Sequence, residues 1–361
     1  MKIEVPGKLY LCGEYAVLKP GSFAIVTPTK RKLWVEAKEG EKGWVSSALF
    51  PPVSFSWEKG DFVSSVPPEC CFSLFAVKLI EGFCRRLTQK SLMLQIEIGS
   101  ELQEGGKKLG FGSSAAMVCA LARAICFLYG VQIKEEEMLK LSILAHFSWQ
   151  KSGSGGDVAA CLLGPVFYSS FDGNWLLKHL SFDAVFKSWP GLFVQKLAFP
   201  SSLSSLALWT QRPASTPSLI NGIDLPLKFV RRSDDLCLRA KEGIEKEDAE
   251  SLFRAIRSSR YNLESFSRLN RIPLEGRGVR HALKIADSFE ICAKTSGAGG
   301  GDCALAIGNE EECSKLSESW KRAGFRVLGE VLSLKEENER GSFVPGCSGQ
   351  KKGSYSLGAP Q

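Results

Sequence analysis

The 361-residue chain is 44% hydrophobic and 24% charged, long enough for two domains sharing an interface and ordinary in composition for a water-soluble protein. Its net charge of +7 suits anionic ligands, but the basic pairs Lys107-Lys108, Arg231-Arg232 and Lys351-Lys352 stand apart without interleaved aromatics, which argues against nucleic acid as a partner. No apolar stretch is long and uncharged enough to span a bilayer and residues 1–6 carry no apolar leader, so the expectation is a cytoplasmic protein with no membrane partner.

The twelve cysteines are dispersed, and Cys119, Cys126, Cys161, Cys292 and Cys303 lie within apolar runs, which reads as reduced, buried thiols rather than a disulfide framework. The adjacent Cys70-Cys71 and the three histidines, His146, His179 and His281, offer no zinc spacing, so any metal should arrive with a nucleotide.

The first glycine segment joins a glycine and a lysine to an apolar strand, Gly7-Lys8-Leu9-Tyr10-Leu11-Cys12-Gly13-Glu14. A lysine in that position either keeps its head in water or is directed into a site. Apolar runs around 25–26 and 33–35 read as strands of a hairpin-rich sheet, and residues 73–87 as a helix. The alternation of Leu92, Leu94, Ile96 and Ile98 predicts a strand, which leads through Lys107-Lys108 into Gly110-Phe111-Gly112-Ser113-Ser114-Ala115-Ala116 and an apolar run over 115–129. A strand, a glycine turn and a helix start leave backbone N–H groups without intrahelical partners at the positive end of a helix dipole, which is where a phosphate binds. The turn lacks a Walker lysine, and the last glycine segment lacks the final glycine of a dinucleotide fingerprint. Ser113 either caps the new helix or meets a phosphate.

Helical patterning recurs over 134–149, where Glu135-Glu136-Glu137 suits the first turn. Gly153-Ser154-Gly155-Gly156-Asp157 then opens a short helix that Gly164-Pro165 stops before a strand at 166–168. Asp157 reads as a helix-capping carboxylate or as a chemical group, and the two roles are compatible. A domain boundary falls within 183–191, dividing the chain into residues 1–187 and 188–336. The second part carries strands near 192–194 and 206–209, helices near 234–241, 249–257 and 280–288, and a glycine-rich segment, Ser296-Gly297-Ala298-Gly299-Gly300-Gly301-Asp302, running into a strand at 304–307. A helix at 310–322 and a strand at 326–328 complete an α+β arrangement, and 337–361 reads as a disordered tail.

Together the glycine segments resemble the GHMP kinase family. The resemblance rests on Gly7-Lys8-Leu9-Tyr10 with Gly13-Glu14-Tyr15-Ala16-Val17-Leu18, on Lys107 to Ser114, on Gly153-Ser154-Gly155-Gly156-Asp157-Val158-Ala159, and on Lys294-Thr295-Ser296 running into Cys303. It implies an α+β, two-domain GHMP kinase fold, with a ribosomal-protein-S5-domain-2-like N-terminal domain and a ferredoxin-like C-terminal domain, working with ATP and Mg²⁺. Within the family the opening segment, the final glycine stretch and the Lys107-Lys108 pair are similar to the bacterial phosphomevalonate kinases, which implies phosphorylation of (R)-5-phosphomevalonate, a small-molecule substrate, to the diphosphate.

Residue by residue, the resemblance implies that Lys8 and Asp157 meet at the acceptor oxygen. Lys107, Gly110, Gly112, Ser113, Ser114 and Ala115 would hold the nucleotide, with Ser114 also on Mg²⁺. Lys8, Lys108, Ser154, Ser215, Ser296, Gly297, Ala298 and Gly299 would hold the acceptor. The chain also departs from the family: several members place a metal-binding glutamate on the helix before the aspartate loop, and here that helix reads Ala145-His146-Phe147-Ser148-Trp149-Gln150, with no acid. The alternatives are a mevalonate kinase or another small-molecule kinase of the same family, and, from a different class, a non-catalytic nucleotide- or RNA-binding protein. No residue pattern fixes an oligomeric state.

Overall fold

The computed structural model describes residues 1–48, 50–210, 223–297 and 303–334; Ser215, Ala298, Gly299 and the tail expected from 337 fall outside them. The chain starts with β1 (Lys2–Cys12), which pairs antiparallel with the long β2 (Phe23–Glu39) in a register interrupted between Pro6 and Lys8. The opposite edge of β2 is shared: its first half pairs with β9 (Val166–Ser169) and its second half with β6 (Leu94–Ser100). The sheet then extends through β3 (Gly43–Ser47), β4 (Phe50–Glu58) and β5 (Asp61–Ser64) on the β6 side, and through β10 (Phe193–Lys196) beside β9. The boundary expected at 187 thus stands just ahead of a strand that belongs to this first sheet.

Against β1 and β2 lies α2 (Ser113–Tyr129), surrounded by α1 (Phe72–Thr88), α3 (Glu135–Gln150) and α4 (Gly156–Leu163). Ala115, Ala116, Val118, Cys119, Ala120, Leu121, Ala122 and Ala124 of α2 are buried on all sides, as expected for a helix apolar around its whole circumference. Gly130, in the left-handed region at φ 69°, ends it. At the start of α3, the Lys134 N–H donates to Glu137 Oε2 at 2.7 Å, half of a capping box, and the acidic first turn suits the dipole.

After the short helix α5 (Gly173–Lys178), the second sheet is built from β11 (Ser204–Trp209), β12 (Cys292–Thr295), β13 (Cys303–Gly308) and β14 (Arg326–Gly329), in the order β12–β13–β11–β14 and antiparallel throughout. The two-residue period of a strand divides its side chains cleanly. Leu206, Leu208, Ala304 and Ala306 pack with α8 (Arg277–Ala286) and α9 (Glu310–Arg322), whereas Ala207, Trp209, Cys303, Leu305 and Ile307 join the core that also holds β1 and α2. One continuous core therefore joins both sheets. The helices α6 (Leu227–Glu245) and α7 (Ala249–Asn270) pair with each other and cover the turn at Tyr15 and Ala16 through Phe229 and Phe266.

Glu81 of α1 is fully buried and accepts a 2.6 Å hydrogen bond from the Tyr129 hydroxyl. Burial pushes its carboxyl above the ordinary value, and the bond from Tyr129 only partly opposes this. A carboxyl raised by folding favours the native state below its unfolded pKa, and that contribution is lost as pH rises through the folded value. Glu81→Gln has no charge to bury, so its melting temperature should match the wild type near pH 4.5 and exceed it increasingly toward pH 8. A difference independent of pH, measured by calorimetry across that range, would contradict this account.

Candidate active site

Gly112 occupies the N-cap position of α2 in the left-handed region, φ 73°. Ser113 is therefore the first helical residue and the glycine takes the cap position, which sets aside the alternative that Ser113 caps the helix. The first helical N–H with a partner in the turn is that of Ala116, which donates to Gly112 O at 3.1 Å, and the N–H groups of Ser113, Ser114 and Ala115 stand ahead of it at the positive end of the helix.

Two contacts lay Lys8 across this helix start. The irregularity between Pro6 and Lys8 takes the Lys8 N–H out of the β1–β2 ladder, and it donates instead to Phe111 O at 2.7 Å. A Cβ on Gly112 would stand only 2.4 Å from Lys8 Cε, so the glycine serves close approach as well as conformation. Lys8 is 9% exposed and, among the described residues, forms no salt bridge; its ammonium lies 5.2 Å from the centroid of the Tyr10 ring.

Asp157 faces the same region from the first turn of α4, where Gly155 is the N-cap and the Asp157 Oδ1 accepts from the Val158 N–H at 3.0 Å. It too has no ion-pair partner among the described residues. Both charges act on His146, whose imidazole is pushed below its ordinary value by burial, with Asp157 opposing and Lys8 reinforcing the shift. The loop before Asp157 is held by Ser154: its carbonyl accepts from the Tyr168 hydroxyl at 2.5 Å, and its hydroxyl accepts from the Gly156 N–H at 3.4 Å and lies 3.3 Å from the Tyr10 hydroxyl.

Sequence reasoning passed over His146 as a functional group. Its Nε2 lies 3.1 Å from Ser114 Oγ and 3.2 Å from the Gln150 amide nitrogen. A neutral ring with its proton on Nδ1 accepts both bonds, so the helix that lacks an acid presents a nitrogen acceptor to Ser114. The absence of an acid in 145–150 was the only local signal.

The third glycine segment is tied to the other two at both ends. Ser296 Oγ accepts from the Tyr10 N–H at 2.8 Å and donates to Tyr10 O at 2.9 Å, and the Cys303 thiol donates to Leu109 O at 2.9 Å. Lys294 forms a buried ion pair with Glu14 and also donates to Thr295 O at 2.7 Å. The Ser296 hydroxyl thus serves the strand carrying Lys8, which gives it a positioning role beside the ligand role expected of it. Gly297 stands at φ 74°, and among the described residues nothing lies within 4 Å of where a Cβ would be. Lys107 and Lys108 are exposed and form β8 (Lys107–Lys108), paired with β7 (Gln103–Glu104) in a small hairpin that leads into the turn at Gly110 and Gly112.

Among the described residues no group of three or more His, Cys, Asp or Glu side chains is arranged to hold a metal. The half-buried Ser114 hydroxyl fits a magnesium ion that keeps several waters and shares a nucleotide's phosphates, rather than one held by protein alone.

A family model described as the GHMP kinases N terminal domain matches residues 75–165, from α1 through α4. The chain is 29% identical over 355 residues to a phosphomevalonate kinase of Streptomyces sp. (strain CL190), covering 90% of this chain and 95% of that one. It is 25% identical over 356 residues to a mevalonate kinase of Pyrococcus horikoshii, covering 92% and 97%. In fold it is similar to the Streptococcus pneumoniae phosphomevalonate kinase solved with phosphomevalonate and AMPPNP, with TM-score 0.80 at 22% identity, covering 91% of this chain and 98% of that one.

Proposed function

The chain belongs to the GHMP kinase superfamily, a family of small-molecule phosphotransferases, and from that membership we propose that it transfers the γ-phosphoryl group of ATP to the phosphate of (R)-5-phosphomevalonate. One observation carries the reading: a buried lysine without an ion-pair partner among the described residues lies across the start of α2, with a carboxylate facing the same region. Its support from outside the site is the relative from Streptomyces, matched along nearly its whole length.

In the reaction an acceptor phosphate oxygen attacks the γ-phosphorus, the bond to the β,γ-bridging oxygen breaks, and ADP leaves with that electron pair. A phosphomonoester has a second pKa of about 6, so the acceptor is already mostly anionic at neutral pH and needs little help from a base. The obstacle is repulsion between two polyanions, and catalysis comes from positioning and from fixed positive charge. The N–H groups of Ser113, Ser114 and Ala115 receive the nucleotide phosphates, Lys8 supplies the cation between donor and acceptor, and Asp157 orients the acceptor. Magnesium, held through Ser114 and the phosphates, would neutralise further charge.

ADP release measured with phosphomevalonate and with mevalonate in parallel tests the acceptor. A kcat/KM at least tenfold higher for phosphomevalonate is expected. Preference for mevalonate would move the reading to that alcohol, as in the Pyrococcus relative, and make Asp157 a general base.

His146 should matter through Ser114. His146→Ala should raise the Mg²⁺ concentration giving half-maximal activity by roughly tenfold, the lower end for groups that orient a metal ligand, and Ser114→Ala should raise it more. A lower melting temperature with an unchanged Mg²⁺ requirement would reduce the ring to packing.

A further inference from the structure

Among the described residues the buried Lys8 ammonium has no carboxylate partner, so it needs some other stabilisation, and it lies over the face of Tyr10. We propose that Tyr10 is the positioning residue of this active site, holding the Lys8 ammonium over its ring face while Ser296 and Ser154, from two other glycine segments, hold Tyr10. The proposal rests on the reading that Lys8 acts on the transferred phosphoryl group.

Residues i and i+2 of a strand share a face, so Lys8 and Tyr10 of β1 point the same way and the ring lies within reach of the ammonium, 5.2 Å from centroid to Nζ. On the other side the stem is confined by Gly112, where even a Cβ would stand 2.4 Å from Cε. The lysine is thus held between a glycine and an aromatic face.

The choice of an aromatic ring over a carboxylate has a chemical consequence. A carboxylate would fix the ammonium equally well but would cancel its charge and compete with incoming phosphates. A π face attracts the cation through its quadrupole and leaves the full positive charge in place. The ring must itself be fixed and uncharged to do this. Its backbone is gripped on both N–H and C=O by Ser296, at 2.8 and 2.9 Å, and its hydroxyl lies 3.3 Å from Ser154 in the loop that carries Asp157. Gly156 leaves room for it, since a Cβ there would come within 3.0 Å of the hydroxyl. Burial, reinforced by Asp157, pushes the phenol well above its ordinary value, so the ring stays neutral throughout the working pH range. Tyr10 is therefore tied through its backbone to the Ser296 segment and through its hydroxyl to the loop of Asp157.

The test combines a double-mutant cycle with a direct view of Lys8. Tyr10→Phe keeps the ring and should hold kcat with phosphomevalonate within about threefold, whereas Tyr10→Leu should lower it roughly ten- to thirtyfold. In a Lys8→Met background the same Tyr10→Leu change should cost less than about threefold, because the group it positions is gone. Equal losses in both backgrounds, or equal losses for Phe and Leu, would overturn the proposal. Should Tyr10→Leu fail to fold, Tyr10→Phe carrying successively more ring fluorines retains the shape while draining the π face, and kcat should fall stepwise with fluorine count; an unchanged kcat would be fatal. Independently of turnover, selectively ¹³C-labelled lysine gives a Lys8 Hε resonance, assigned by its loss in Lys8→Met. It should be shifted upfield by the ring in wild type and Tyr10→Phe and return to the usual lysine position in Tyr10→Leu. An unshifted resonance in an active kinase overturns the positioning role, whereas a shifted one in a protein that phosphorylates neither acceptor leaves this geometry standing and refutes the proposed function.

Discussion

Replacing Lys8 by methionine should lower kcat by roughly 10²-fold or more with phosphomevalonate, the loss expected when one electrostatic donor is removed from a developing anion. Binding of ATP should change much less, since the N–H groups at the start of α2 remain. The melting temperature should hold or rise, because a buried cation without a carboxylate partner among the described residues is replaced by an apolar side chain that fits the same slot. Lys8→Arg should not restore activity, as the planar guanidinium has no room beside Gly112. Comparison with Asp157→Ala completes the test. If the acceptor is a phosphate, the acid limb of the rate profile near pH 6 belongs to the substrate and persists in Asp157→Ala; its disappearance would signal a base mechanism and an alcohol acceptor. A Lys8→Met enzyme within about threefold of wild type would remove the lysine from the chemistry altogether.

Much of the fold was legible because its signals are local. The strand at 94–100, the glycine that stops α2 and the acidic first turn of α3 each announce themselves within a few residues. Other elements conceal themselves for identifiable reasons. The strands β3 to β5 extend a sheet edge where few side chains are fully buried, and Pro51-Pro52 within β4 reads as a break. The helix α7 runs to Asn270, past the expected end at 257, because Ser259, Asn262, Leu263 and Phe266 continue the buried stripe with two polar residues that hide the period. The glycine turn before Ser113 announced a helix start, the place where a phosphate is proposed to bind, and there Gly112 combines a left-handed conformation with close approach to Lys8. What no local pattern contains is the wiring between them. The Ser296 grip on Tyr10 spans 286 positions of sequence, and the Ser114–His146 contact spans 32.

The deepest of these long connections should also be the most costly to break. The Glu14 and Lys294 side chains are only 2% and 1% exposed, and they join the loop after β1 to β12, directly before the third glycine segment. Lys294 also donates to Thr295 O at 2.7 Å, whereas Glu14 Oε2 has no hydrogen-bond partner among the described residues, so the carboxylate depends on the ammonium for most of its compensation. Lys294→Met would strand that charge in the core, which typically costs about 3–5 kcal/mol. In a protein of this size that corresponds to a fall in melting temperature of roughly 4–7 °C. The pair as a whole is worth far less than the penalty for halving it, because both ions were desolvated to make it. The double variant Glu14→Gln with Lys294→Met removes both charges and should recover most of the lost stability. Calorimetry of the two single variants and the double variant decides the matter: if the double variant is as unstable as Lys294→Met, packing rather than charge accounts for the loss. Activity separates stability from positioning. Assayed well below its melting temperature, the double variant should fold and bind ATP yet turn over more slowly than wild type, because the segment that grips Tyr10 through Ser296 is no longer anchored at its base.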